Sequence, residues 1–300
     1  MSEFEGKVVV VTGAGGGLGK EHALEFARRG ARVVVNDLGG SGDGHGASDM
    51  ADAVVAEIRA AGGIAIANKA SVADKAGAKS IIDDAVAEFG TVDILVNNAG
   101  ILRDKSFKNL DLADWDIVMD VHLNGTAYVT HAAWPIMYAK NYGRIVMTSS
   151  TSGIYGNFGQ GNYGAAKMGM LGLINVLAIE GASKNIRVNG LAPGAETRLI
   201  GTIPGRDVDP DNPRPEAHPK LVTPAVILLC SEEAPTGKII QASGGRFSTC
   251  AIFNNEDVEL GVDATYEDLL ARKEELLDMS AATEGWGWRR RMMAKRDAGQ

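Results

Sequence analysis

Three hundred residues, 45% of them hydrophobic and 23% charged, suffice for one α/β domain with an ordinary buried core. The formal net charge of −8, with no basic stripe over the main body, argues against nucleic acid as a principal partner. No apolar run reaches the roughly 18 residues of a membrane span, and the opening MSEFEGK carries no apolar leader, so a cytoplasmic protein off the membrane is expected.

The elements alternate regularly along the chain. KVVVVT (7–12) predicts a strand, followed by a helix to about Arg29 and the strand ARVVVN (31–36). A helix over about 48–61, the strand IAIAN (64–68), a helix over about 74–89 and the strand VDILVNN (92–98) come next. A long helical region at 111–139, the strand YGRIVMTSS (142–150), a helix over about 160–182 and the strand NIRVNGLA (185–192) follow. Continuous apolar strands separated by helices predict an α/β fold: a single doubly wound, Rossmann-like parallel sheet with helices on both faces. Residues 194–220 break the pattern with five of the nine prolines, which predicts a loop over a site. AVILLC (225–230) reads as a short helix and GKIIQASGG (237–245) as the last strand. Beyond about 251 the chain is more charged, with helical patterning in YEDLLARKEELLDM (266–279). The expected organisation is a dinucleotide-binding catalytic domain at 1–250, with its substrate loop at about 194–220, and a C-terminal helical extension at 251–300 within the same unit. Two cysteines without a pattern, Cys230 and Cys250, point to a reducing compartment and no metal site, and the terminus AGQ is not a peroxisomal address.

Between the first strand and the first helix lies TGAGGGLG (12–19), which fits T-G-x-x-x-G-x-G with Gly13, Gly17 and Gly19. Glycines in such a turn let backbone N–H groups and the helix N-terminus approach a pyrophosphate. The next strand ends in Asp37, eighteen residues beyond Gly19. A carboxylate there accepts hydrogen bonds from the adenosine ribose and repels a 2′-phosphate. No Arg or Lys stands at Gly15, Gly16 or Leu38 to offset that repulsion, so NAD is the expected cofactor.

Tyr163 and Lys167 are four residues apart and share a helix face, and Ser150 ends a buried strand thirteen residues before the tyrosine. A cation beside a phenol favours the phenolate and lowers its pKa from about 10, which suits proton transfer to and from an alcohol.

TGAGGGLG, NNAG (97–100), Ser150, Tyr163 and Lys167 together resemble the short-chain dehydrogenase/reductase family over residues 5 to about 193. VVVNDLGG, NNAGILRDKSF, DWDIVMDVHL and RIVMTSSTSGIYGNFGQGNYGAAK narrow the resemblance to the (3R)-hydroxyacyl-CoA dehydrogenase branch of the multifunctional enzymes. The resemblance implies oxidation of a 3-hydroxyacyl-CoA to a 3-ketoacyl-CoA with NAD. It makes Tyr163 the general acid/base, Ser150 the group that hydrogen-bonds the reacting oxygen, and Lys167 the residue that tunes the tyrosine and holds the nicotinamide ribose. Around the cofactor it places Gly13, Gly17, Leu18 and Gly19, then Asp37, Asn98, Ala99 and Gly100, then Pro193, Gly194 and Thr197, with Thr197 on the carboxamide. His122 stands where the family usually has Asn; its backbone carbonyl can serve the same proton relay, or its side chain can simply pack. Resemblance becomes loose over 194–250, the region that shapes the acyl pocket.

The alternatives are a hydroxysteroid or other bulky-alcohol dehydrogenase, and a non-catalytic dinucleotide sensor, which would have no reason to keep Ser150, Tyr163 and Lys167 together. The helix at 160–182 is apolar on more than one face, which predicts a homodimer or homotetramer. Multifunctional enzymes carry a hydratase after the dehydrogenase; the resemblance implies that this dehydrogenase either stands alone or works with a separate enoyl-CoA hydratase. The basic, aromatic segment GWGWRRRMMAKR (285–296) reads as a solvated end or subunit contact, or as a group of arginines facing coenzyme A phosphates.

Overall fold

Val, Ile and Leu crowd the strand positions because both faces of the sheet are covered. In the computed structural model, which describes residues 2–40, 42–43, 48–201, 208–210 and 212–285, seven strands pair in parallel. They are β1 (Val8–Thr12), β2 (Arg32–Asn36), β3 (Ile64–Asn68), β4 (Ile94–Asn97), β5 (Gly143–Thr148), β6 (Ile186–Gly194) and β7 (Ile239–Ser243). Their spatial order is 3-2-1-4-5-6-7. Every residue of β1, β4 and β5 is buried. The doubly wound sheet expected from the alternation is therefore the one observed.

An eighth strand, β8 (Arg246–Cys250), lies beside β7 at the sheet edge. Gly244 and Gly245 join the two with φ of +55° and +73°, the pair of positive values that a tight hairpin turn requires. The strand expected to be the last stops at this turn. RFSTC is almost wholly exposed, so it has no apolar alternation by which to predict a strand.

The helices of this part are α1 (Gly17–Arg28), α2 (Met50–Ala60), α3 (Lys75–Phe89), α4 (Leu112–Met119), α5 (Gly125–Lys140), α6 (Thr151–Tyr155), α7 (Gly161–Glu180), α8 (Arg198–Gly201) and α9 (Thr223–Cys230). The helical region predicted at 111–139 is not uniform: Asp120–Asn124, between α4 and α5, forms one turn of π-helix. Such a turn adds a residue to the helical circuit and re-aims the side chains within it. The strand order reverses between β1 and β4, and the crevice beyond their carboxyl ends is where this architecture binds ligands.

The chain divides into two compact units, Met1–Thr249 and Cys250–Gln300. In the second, β9 (Phe253–Asn254) pairs antiparallel with β10 (Thr283–Glu284). Thr265 and Asp268 form a capping box that starts α10 (Tyr266–Ala271). The helix predicted over 266–279 is two short ones, because the chain leaves helical geometry at Arg272 (ψ 20°) before α11 (Lys273–Leu277). No helix among the described residues is long and apolar enough to cross a membrane. Of the predicted basic segment 285–296, all but Gly285 lies outside the described residues, as do 202–207 and 211 of the predicted loop.

Candidate active site

The turn from β1 to α1 is built so that only glycine fits at its key positions. Gly13 and Gly17 have φ of +64° and +52°. A Cβ on Gly19 would stand 2.2 Å from the Gly13 carbonyl oxygen, and one on Gly13 2.7 Å from Ala99 Cα. The turn therefore presents bare backbone at the N-terminus of α1, whose first turn holds no acidic residue. Exposed N–H groups and the helix dipole suit a phosphate there. Thr12 Oγ1 accepts from the Asn98 and Ala99 N–H groups (3.0 and 3.1 Å), and Asn98 Nδ2 donates to the carbonyls of Thr12 and Gly13 (3.0 and 3.1 Å). The ends of β1 and β4 are thus locked together as one wall.

At the end of β2 the buried Asp37 carboxylate is held in place: Oδ2 accepts from Gly15 N–H at 2.8 Å and Oδ1 from Gly39 N–H at 2.7 Å. Each oxygen keeps a lone pair for a ribose hydroxyl. The residues present fit a dinucleotide, with a flat glycine cradle for its pyrophosphate and a fixed carboxylate beside it.

Opposite this cradle stand the predicted tyrosine and lysine. Tyr163 opens α7, where the buried Asn162 side chain donates to the carbonyls of Arg103 and Asp114 (3.2 and 3.1 Å). This ties the helix start to α4. One turn on, Lys167 Nζ donates to the Thr148 carbonyl at 2.5 Å and lies 5.4 Å from the Tyr163 ring centre. Ser149 Oγ donates to the Lys167 carbonyl (2.9 Å), fixing the end of β5 against α7. The Ser150 side chain lies near enough to Tyr163 to favour its phenolate, and its Oγ accepts from Ser152 N–H at the start of α6 (3.1 Å).

His122 sits in the π-turn, fully buried, with its ring edge-on to Tyr163 (centroids 5.1 Å, interplanar 87°). Its Nε2 is 2.7 Å from the Ile101 carbonyl and 3.1 Å from the Ile101 N–H, while its Nδ1 is buried without a partner among the described residues. Gly100 has to be glycine beside it, since a Cβ would stand 2.4 Å from His122 Cε1.

Gly13, Gly17, Asp37, Asn98, His122, Tyr163 and Lys167 line one cleft of about 280 Å³. A family model described as short chain dehydrogenase matches residues 7–200. The chain belongs to the short-chain dehydrogenase/reductase family. It is 49% identical over 284 residues to a Mycobacterium tuberculosis protein assigned by name to the short-chain type dehydrogenase/reductases, covering 94% of this chain and 98% of that one. It is also 54% identical over 244 residues to the peroxisomal multifunctional enzyme type 2 of Drosophila melanogaster, 81% of this chain but only 40% of the fly protein. A crystal structure of a short chain dehydrogenase from Mycobacterium avium superposes with a TM-score of 0.80 at 39% identity, covering 92% of this chain and 96% of that one. As a short-chain dehydrogenase/reductase the chain is an oxidoreductase acting on CH–OH groups with a nicotinamide dinucleotide, NAD or NADP.

In this dehydrogenase the site's acid–base balance departs from the sequence expectation in one respect. Helical spacing alone has Lys167 drawing the tyrosine below 10. Instead burial raises Tyr163 to about 12, against the opposing effect of the Ser150 side chain, and the nearby Asp104 carboxylate raises it further. Burial lowers Lys167 to about 7, so near neutrality it carries its charge only part of the time. A lysine that shares the tyrosine's dry environment is itself easier to deprotonate, so its pull on the phenol is weaker than spacing alone suggests and acts only while it is protonated. His122 is held well below its usual value by burial first and then by Lys167, and is neutral.

Of the family residues carried over from the sequence, Gly13, Gly17, Leu18, Asp37, Asn98, Ala99, Gly100, His122, Tyr163, Lys167, Pro193 and Thr197 line the cleft. Gly19, Ser150 and Gly194 are not part of that lining. Gly19 acts through close packing on Gly13, and a Cβ on Gly194 would stand 2.7 Å from Ser243 Oγ. Thr197 lies against the glycine turn, its Cγ2 3.2 Å from where a Gly17 Cβ would be. Sequence reasoning missed Thr148, whose buried hydroxyl has no partner among the described residues, and Arg198, which lines the cleft from the first position of α8. It also missed Asp104, whose carboxyl is raised by burial and whose Oδ2 accepts from Gln160 Nε2 at 2.7 Å. Only the adjacency of Arg198 to Thr197 could have signalled it, because an irregular loop has no period to read.

Proposed function

We propose that the protein interconverts a (3R)-3-hydroxyacyl-CoA and the corresponding 3-ketoacyl-CoA with NAD. One observation carries this: Tyr163, with Ser150 nearby and backed by Lys167, faces the same cleft as the Asp37-bearing glycine cradle. When bound, the dinucleotide supplies the carbon that accepts or delivers hydride and, oxidised, a positive charge. Tyr163 Oη exchanges the proton with the substrate oxygen, and Ser150 Oγ holds that oxygen while charge develops on it. Protonated Lys167 supplies the local charge that favours the phenolate. Gly13, Gly17 and Leu18 receive the pyrophosphate, and Asp37 takes the adenosine ribose hydroxyls, which favours NAD.

Ile101, Leu102 and Val118 pack with Tyr163, and Val121 and Leu199 lie against them. This apolar wall beside the reacting position supports an acyl chain or another apolar alcohol. The resemblance to the multifunctional enzymes, which extends over 244 residues of the fly protein, supports an acyl-CoA substrate. On α7, the exposed Met168, Val176 and Ile179 support a homodimer or homotetramer joined along that helix. The test is kcat/KM for a (3R)-3-hydroxyacyl-CoA against a hydroxysteroid, with NAD and with NADP, followed by the absorbance of the reduced nicotinamide. Faster acyl-CoA oxidation with NAD is expected. Turnover of the steroid alone, or a higher kcat/KM with NADP, would overturn the corresponding half of the reading.

A further inference from the structure

Among the described residues, two arginines, Arg198 and Arg214, stand in the segment that leaves β6, and their surroundings differ. Arg214 is paired: its Nε donates to Glu196 Oε1 at 2.6 Å and its backbone N–H to Oε2 at 2.8 Å. Glu196 N–H in turn donates to the Ala217 carbonyl at 2.8 Å, so this part of the loop is fastened to itself. Arg198 forms no ion pair among the described residues; the hydrogen-bond partner of its guanidinium is the thioether of Met50, with Nη1 2.9 Å from Sδ. A thioether is a weak acceptor and leaves most of the guanidinium's demand unmet.

That guanidinium lies over the glycine-rich turn. A Cβ placed on Gly16 would stand 3.1 Å from Arg198 Nη2. On the neighbouring Gly15, a Cβ would stand 2.8 Å from the Asp37 carboxylate and equally close to Met50 Cβ. A cation and a carboxylate thus approach adjacent glycines at the N-terminus of α1, and both side chains line the cleft. Neither Gly15 nor Gly16 is itself basic, which on sequence alone favours NAD. The fold brings a basic group to that place from 182 positions further along, because the bare backbone at Gly16 leaves room for it.

We propose that Arg198 is a phosphate-binding residue of the dinucleotide site. A planar guanidinium matches two phosphate oxygens at once, and one with no carboxylate partner among the described residues is available to them. The phosphate is either the pyrophosphate common to both dinucleotides or the ribose 2′-phosphate of NADP, whose repulsion by Asp37 the arginine offsets. The same short stretch reaches the substrate side: Thr197 lies on Gly17, Arg198 on Gly16, and Leu199 packs in the apolar cluster that contains Tyr163. A phosphate held by Arg198 therefore also steadies the stretch that carries Leu199, one wall of the alcohol pocket.

This inference rests on the dinucleotide-dependent reading and is tested apart from it. The Kd values of NAD, NADP and ADP are measured by calorimetry at several salt concentrations for the wild type, Arg198→Gln and Arg198→Lys. Arg198→Gln is expected to weaken at least one dinucleotide by about tenfold or more and to flatten the salt dependence, with Arg198→Lys in between. Equal loss for all three ligands locates the contact at the pyrophosphate; loss confined to NADP locates it at the 2′-phosphate. Affinities unchanged within about twofold, or a loss that keeps the full wild-type salt dependence, overturn the proposal. Failure of the underlying reading looks different, since the wild type itself then binds none of the three.

Discussion

Tyr163 and Lys167 were legible because their relation is local. Four residues on one helix put two side chains on one face whatever the rest of the chain does. Ser150 was legible for a similar reason, as the hydroxyl that follows a buried strand. What local spacing could not convey is how dry the place is, and dryness sets Tyr163 near 12 and Lys167 near 7. Arg198, Thr148 and the Asp104–Gln160 pair were not legible, because each owes its place to a meeting of distant segments. Tyr163→Phe keeps the ring packed on His122 and in the apolar cluster and removes only the hydroxyl. Its expected effect is a fall in kcat of about 10²–10⁴-fold with dinucleotide Kd unchanged, measured by steady-state kinetics and calorimetry. A near-normal kcat would remove Tyr163 from the chemistry.

At the scale of elements, the parallel sheet was legible because each buried strand is a continuous apolar run. The π-turn at Asp120–Asn124 was not, since nothing in DVHLN disturbs the helical period. Yet that turn carries His122, and the imidazole spans the space from Ile101 to Tyr163. On α7, Met168, Gly172, Val176 and Ile179 recur at intervals of four, four and three, which places them on one exposed stripe. A methyl group on Gly172 would meet nothing within 4 Å, so this glycine leaves a shallow notch within the stripe where a second copy's helix can approach. If the stripe joins two copies, a charge at its centre has to be desolvated on pairing. Val176→Glu is expected to reduce the sedimentation mass to that of a monomer while leaving circular dichroism unchanged. An oligomer that survives the substitution would place the contact on another face.

Over the whole molecule, acid stability depends on histidines that folding holds neutral. His22 on α1 is fully buried, with Nδ1 2.9 Å from Thr223 Oγ1 on α9 and Nε2 without a partner among the described residues. It helps join two helices, and burial alone lowers it from 6.5 to about 3. Between those values the unfolded chain binds a proton there and the folded chain does not. Stability is therefore fully retained above about 6.5 and declines as pH falls towards 3. At about pH 5 the gap from 6.5 is 1.5 pH units, or about 2 kcal/mol. His122, also buried and also lowered, acts in the same direction, so acid reaches the active site and the α1–α9 contact together. Denaturant titrations of the wild type and His22→Leu at about pH 7.5 and about pH 5 separate the two histidines. The variant's stability at neutral pH shifts by whatever its repacking costs, but its loss between the two pH values is expected to be smaller by about 2 kcal/mol. An identical loss in both proteins would mean that His22 is protonated in the folded state, and that the α1–α9 contact tolerates the charge.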